Sequence, residues 1–306
     1  MTQRNVLAVT YSGNHGRYEP INNTTLNDFI SSNKFAAGFL GLPTAAPDPR
    51  FATVTQATLL GYHNYDGVSV QLRHAMSYGF MGQVGYTWSH SLQLGTIYDP
   101  KNIGLGYGSS GLDTRHNLTA DILWNMPRLK NSLLEHSIGG WNIGAKVYAY
   151  TGRPISVTNT QLGGQISATF SGNILADILD PSVLGKHCTS AAANTPCLTP
   201  LQFANSSTQK DWGNAPPNQF WAPGFFDLDT QLTKAIRIAE RVRFEIGTNV
   251  YNLLNHTNFS TPSGSVTSGA LGTITNTVAD PVSIYGSGQS ASNSGRILVL
   301  TGKLTF

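Results

Sequence analysis

Cys188 and Cys197 stand close together in "HCTSAAANTPC", with His187 beside the first, and three chemistries are open to them. They can form a short loop disulfide, remain free thiols, or hold a metal. The surrounding stretch is polar, contains proline and has no helical or strand periodicity, which suits a disulfide and with it an oxidising compartment. A zinc site would need further ligands at defined spacing, and no second Cys or His pair follows. "SHS", Ser89 to Ser91, sets serine beside histidine. Adjacent residues on a strand point to opposite faces, so they cannot serve each other as nucleophile and base. The eight histidines include no H-E-x-x-H. "GLGYGSSG" and "GSGQSASNSG" follow no strand-to-helix pattern, and read as flexible loops rather than phosphate cradles. The residues thus imply no catalytic centre, no metal and no cofactor.

The chain has 306 residues, of which 11% are charged, against roughly 25% in ordinary soluble domains. Its surface is therefore neutral and polar, or partly lipid. A net charge of +3 with scattered Lys and Arg gives no electrostatic footprint for nucleic acid. The longest aliphatic run, "ILVL", is far short of a membrane helix. The start, "MTQRNVLAVTYSG", has no apolar stretch behind a basic segment. Either the protein is cytosolic or Met1 is not the true beginning of the gene product.

A period of two dominates the rest. Val68, Val70, Leu72 and Met76 oppose Ser69, Gln71 and Arg73; after a turn at Ser77 to Gly79, Phe80, Val84, Tyr86 and Trp88 oppose Gln83, Thr87 and Ser89. This is a hairpin with one polar face. The pattern returns in "HNLTADILW", in "WNIGAKVYAY", and in a second hairpin from Phe226 to Val250. With "NVLAVTY" near the start and "RILVLTGKLTF" at the close, about eight strands are expected. Short connections (Ser77 to Gly79, Pro127 to His136, Ile238 to Glu240) alternate with long loops at 12–65, 92–112, 151–224 and 253–295. All long loops then leave one end of the sheet. Outer-membrane barrels show this parity, with short periplasmic turns, long extracellular loops, a lipid-facing apolar band and a polar interior; a soluble sandwich is the alternative.

The fold class read from the chain is all-β, an antiparallel transmembrane β-barrel of about eight strands. His74 and Lys234 fall on the apolar face near the turn end and Arg296 near the loop end, where a charge is tolerated, and Trp88, Trp124 and Trp141 fall near strand ends. Arg73, Lys146, Asp227, Asp229, Arg241, Arg243 and Glu245 face the lumen with mixed signs, either pairing with one another or lining a path for a charged solute. Trp212, Phe220 and Trp221 in the longest loop either pack against the rim or stack on ligands. Ser171 and Ser206, in the same loop, are expected to be reachable from outside.

"YTWSHS", "DTRHNLTADILWNMP", "GGWNIGAKVYAYTGRPISV" and above all "APGFFDLDTQLTKAIRIAERVRFEIGTNVYNLLNHTNF" resemble the carboxy-terminal barrel portion of Oar-like TonB-dependent outer-membrane receptors of the acidobacterial type. The resemblance implies a barrel of about 22 strands with a plugged lumen, of which residues 1–306 would be a partial barrel without the plug and amino-terminal domains. It also implies outer-membrane lipid and the barrel-assembly machinery as partners, and an extracellular solute that the loops do not identify. The TonB energy-coupling system would act only through the missing parts. Phe306, ending an amphipathic strand, is the expected barrel-assembly signal. Other readings are a stand-alone small barrel or adhesion protein, or a secreted β-sandwich lectin or hydrolase.

Overall fold

A computed structural model describes residues 4–127, 139–167, 169–170, 172–188, 195–239, 241–267, 269–278 and 295–306. Most of the turn at 127–136, the interior of the cysteine loop, Ser171 and nearly all of "GSGQSASNSG" lie outside them. The strands are β1 (Asn5–Asn23), β2 (Gln56–Ser77), β3 (Phe80–Leu94), β4 (Tyr107–Ser109), β5 (His116–Asn125), β6 (Trp141–Tyr150), β7 (Pro154–Ile155), β8 (Phe220–Trp221), β9 (Phe225–Arg237), β10 (Arg243–Tyr251) and β11 (Ile297–Thr305). Eight of them form one antiparallel meander, β1-β2-β3-β5-β6-β9-β10-β11; β4 adds to β3, and β7 pairs with β8 apart from the wall.

Directly opposed residues on neighbouring strands share a face, and the registers keep the two faces separate across the sheet. Leu7 opposes Leu72, Leu72 opposes Val84, Val84 opposes Ala120, Ala120 opposes Val147, and Val147 opposes Leu228. Farther on, Thr230 opposes Val250 and Val250 opposes Leu298. The apolar row is left exposed, as at Val9, Leu72, Leu300 and Leu304. The β2–β3 hairpin closes through Tyr78 and Gly79, both at positive φ, the backbone of a tight two-residue turn.

Two expectations about the loops need correction. β1 and β2 remain paired far into the expected 12–65 loop, out to Asn23 opposite Gln56. This upper ladder carries only scattered apolar residues, such as Ile21, Leu59 and Leu60, so no strict alternation marks it; backbone pairing and contacts such as His63 Nδ1 to Glu19 Oε1, 2.6 Å, hold it. The long loops, moreover, fold on one another. Val157, Phe203, Phe220, Val266 and Leu271 make one buried cluster, and Ile30, Leu40, Leu162, Ile166 and Trp212 another. A third, of Ile21, Leu94 and Ile97, joins the loops to the wall. Trp212 Nε1 donates to the Leu40 carbonyl, 3.2 Å away. Trp212 and Phe220 therefore pack inside a cap made of loops, not against the rim. "GLGYGSSG" is likewise ordered, through β4 and its ladder to Leu92, Gln93 and Leu94. Ser206 is buried at 6% exposure, so it cannot serve as an accessible marker.

Burial, and next the neighbouring carboxyl of Asp211, raise the pKa of Asp177 in the cap above the ordinary carboxylate value. A raised folded-state pKa stabilises the cap below the unfolded value, and that contribution is lost as pH rises through the folded one. Cap protection against proteolysis should thus decline as pH rises above about 4. Asp177→Asn should flatten that decline, which protease protection measured against pH will check.

Candidate functional site

On the polar face, Arg73 opposes Gln83, Gln83 opposes Asp121, Asp121 opposes Lys146, and Lys146 opposes Asp229. Five adjacent strands thus carry a single row whose charges alternate in sign. The row lines a concavity of about 580 Å³ together with Asn249. Asp229 Oδ1 accepts from the Asn252 backbone N–H at 3.0 Å, fixing one end. Alternating signs give hydrogen bonding and ion pairing without favouring either charge, so the row suits a polar surface or solute laid along the wall.

Of the charges singled out from sequence, only Arg73, Lys146 and Asp229 meet here. Asp227 is buried nearer the loop end. Glu245 faces Lys303 across the last ladder, and Arg243 stands between Arg237 and Thr305 at the turn end; Arg241 is exposed in the turn. Gln83 and Asp121 were missed as site members, because only register puts Asp121 opposite Lys146.

The "SHS" segment serves as a latch. Ser89 Oγ donates to the Thr114 carbonyl at 2.9 Å. Buried Asp113 accepts from Ser91 N at 2.9 Å and from Arg115 Nε at 3.0 Å. His90 Nε2 lies 3.9 Å from Asp113 Oδ2, beyond hydrogen-bonding range. Among the described residues no group of three or more His, Cys, Asp or Glu is placed to hold a metal. Cys188 and Cys197 are joined as a disulfide with Cα atoms 5.3 Å apart. Their backbone N–H groups donate to the carbonyls of Trp221 and Gly272, at 2.7 and 3.0 Å, so the bridge ties two parts of the cap. Trp221 stacks on the His187 ring, 5.7 Å away, and the Arg115 guanidinium lies over it at 5.5 Å.

Two of the polar groups on the apolar face, His74 and Lys234, have partners. His74 Nδ1 meets Asn5 Oδ1 at 2.6 Å and its Nε2 meets Ser77 Oγ at 2.8 Å. Lys234 opposes Trp141 and sets its Nζ over that ring at 5.3 Å, a contact that offsets part of its desolvation. Two asparagines escaped the sequence reading. Asn258 accepts from Phe226 N and donates to Phe226 O, both at 2.9 Å. Asn252 donates to the His256 carbonyl and accepts from His256 N, both at 2.8 Å. "NLLNHTNF" is thus a clamp between the cap and the loop end of β9, and its only signal was asparagine repeating where a strand pattern stops.

A family described as outer membrane beta barrel domain has a model that matches residues 1–285. No curated protein matches the chain. Among solved structures, the closed-form crystal structure of the ferric-catecholate import receptor Fiu from Escherichia coli K12 is similar at 11% identity and a TM-score of 0.43. The outer membrane transporter YddB from Escherichia coli is similar at 8% identity and a TM-score of 0.47. Each likeness covers 100% of this chain but 26% and 31% of theirs, so the chain spans a quarter to a third of those proteins.

Proposed function

Because this chain belongs to the outer membrane beta barrel domain family, we propose that it is a wall and cap segment of a transport receptor, resembling the Oar-like TonB-dependent type, that takes up a large extracellular solute. The chain lies in the outer membrane, with its apolar face toward lipid, its short turns periplasmic and its long loops extracellular. The reading of a secreted sandwich falls with that location. The observation that carries the transport proposal is the open meander with its row of alternating charges on the lumen face. Among the described residues β1 and β11 each have one neighbour in the wall. A barrel wall leaves no unpaired edges in lipid, so further strands would complete it.

In this reading residues 1–306 are a partial barrel, and a plug and amino-terminal parts couple it to the TonB system. The capped loops present the solute site, the polar row faces the plug or the passing solute, and the chain performs no chemistry of its own. Phe306 shares the lipid face with Leu304, Leu300 and Leu298, and we assign it to recognition by the barrel-assembly machinery. Eight strands also suffice for the smallest closed barrels, which keeps a stand-alone small barrel as the second reading. Planar-bilayer recording of the full-length gene product separates the two. A plugged receptor should be silent at rest and conduct only after urea loosens the plug, whereas steady small conductance at rest would favour the closed small barrel.

A further inference from the structure

Tyr86 opposes Leu118, Leu118 opposes Ala149, and Ala149 opposes Phe226. These four side chains form one row on the lipid face close to the loop end. Leu118 is six residues from Trp124 near the turn end of the same strand, about 20 Å along the strand and, at the tilt of a barrel strand, about 15 Å along the membrane normal, past the middle of an apolar band of about 25 Å. The row therefore lies in the outer leaflet. Above it the surface is hollow: a cavity of about 560 Å³ has this row as its floor and His116, His187, Pro223, His256 and Phe259 around it.

The segments around the hollow are tied to the wall. Asn258 holds Phe226 through both backbone groups, and His256 stands edge-on to the Phe226 ring at 5.8 Å. Ala222 N donates to the Arg153 carbonyl at 2.9 Å, and a Cβ on Gly152 would collide with the Ala222 carbonyl. The rim is polar where the floor is not. The Tyr86 hydroxyl lies 2.6 Å from His116 Nδ1, and the His187 and His256 side chains are exposed to solvent.

We propose that this hollow binds one lipid of the outer leaflet, its acyl chain along the row from Tyr86 to Phe226 and its polar head group against the imidazoles of His116, His187 and His256. The volume is that of a specific small-molecule site. The floor is continuous with the lipid-facing wall, so a water-soluble ligand would have to displace lipid to reach it. A flat wall exchanges its neighbours freely; an open hollow with hydrogen-bonding groups at its rim retains one for longer. The proposal rests on the wall's orientation and stands whatever the barrel transports.

A benzophenone amino acid in place of Phe259, in the full-length protein within native outer membranes, should give lipid adducts on illumination. The same probe at Leu201, on the exposed cap surface, should give at least fivefold fewer. Native mass spectrometry after mild detergent extraction should find one retained lipid, reduced at least tenfold by Ala149→Trp, which fills the floor. Equal adduct yields at the two positions, adducts at Phe259 with water-soluble molecules alone, or unchanged retention in Ala149→Trp would overturn the proposal. The photoprobe leaves the floor unaltered, so its result stands even if Ala149→Trp fails to assemble.

Discussion

Leu228→Arg should destabilise the inserted barrel by about 2–4 kcal/mol, the cost of a cationic side chain near the bilayer midplane, whereas Ile246→Arg should cost only about 0–1 kcal/mol, because Ile246 lies opposite Lys234 near the turn end. Leu228 opposes Val147, and Ile246 lies between Lys234 and Gly302, all on the lipid face. Gln231→Arg is the control. Gln231 opposes Gly144 and Asn249 on the other face, where an added charge meets water, so its cost should stay below about 1 kcal/mol. Thr230→Arg makes the comparison sharper: Thr230 is polar, yet it opposes Ala145 and Val250, so it should behave like Leu228 and not like its neighbour Gln231. Unfolding free energies in lipid vesicles decide it. Equal effects at Leu228 and Gln231 would invalidate the face assignment.

Phe220→Ala should cost the cap about 3–5 kcal/mol, as is usual for an aromatic side chain removed from a packed core. Phe220 is fully buried, with its ring edge-on to Phe203 at 5.9 Å and Val157, Val266 and Leu271 in the same cluster. The loss should be local. The wall is held by its own ladders and by lipid, so hydrogen exchange and proteolysis should rise across 151–224 and 252–278 while β5, β6 and β9 keep their protection. Uniform loss of protection over wall and cap would show that the two unfold as one unit.

The wall was legible because hydrocarbon outside and water inside impose a period of two on each strand; Val68 to Met76 and Val242 to Val250 state it plainly. Polar exceptions such as His74 and Lys234 could be placed but not explained, since their partners, Asn5 and Trp141, are supplied by register. The upper β1–β2 ladder was hidden because Gly13 to Asn23 has only Tyr18, Pro20 and Ile21 among polar residues and glycines, too few to mark a face. The cap was hidden for another reason. Its core residues are scattered singly through polar segments and meet across long separations, as Trp212 does with Leu40, so no local window reveals them. The alternating charges were visible one strand at a time, but the row from Arg73 to Asp229 exists only once four ladders are aligned.

The central claim, a wall spanning the outer membrane with its cap outside and its turns inside, is tested most directly by single cysteines in the full-length protein, in a background with Cys188 and Cys197 replaced by serine. Leu201→Cys and Tyr78→Cys are both well chosen, because these residues are 90% and 93% exposed, so differences in burial cannot explain differences in labelling. A membrane-impermeant maleimide applied to intact cells should label Leu201→Cys fully and leave Tyr78→Cys unlabelled until the outer membrane is opened. Labelling of Tyr78→Cys first, or of both equally in intact cells, would contradict the account.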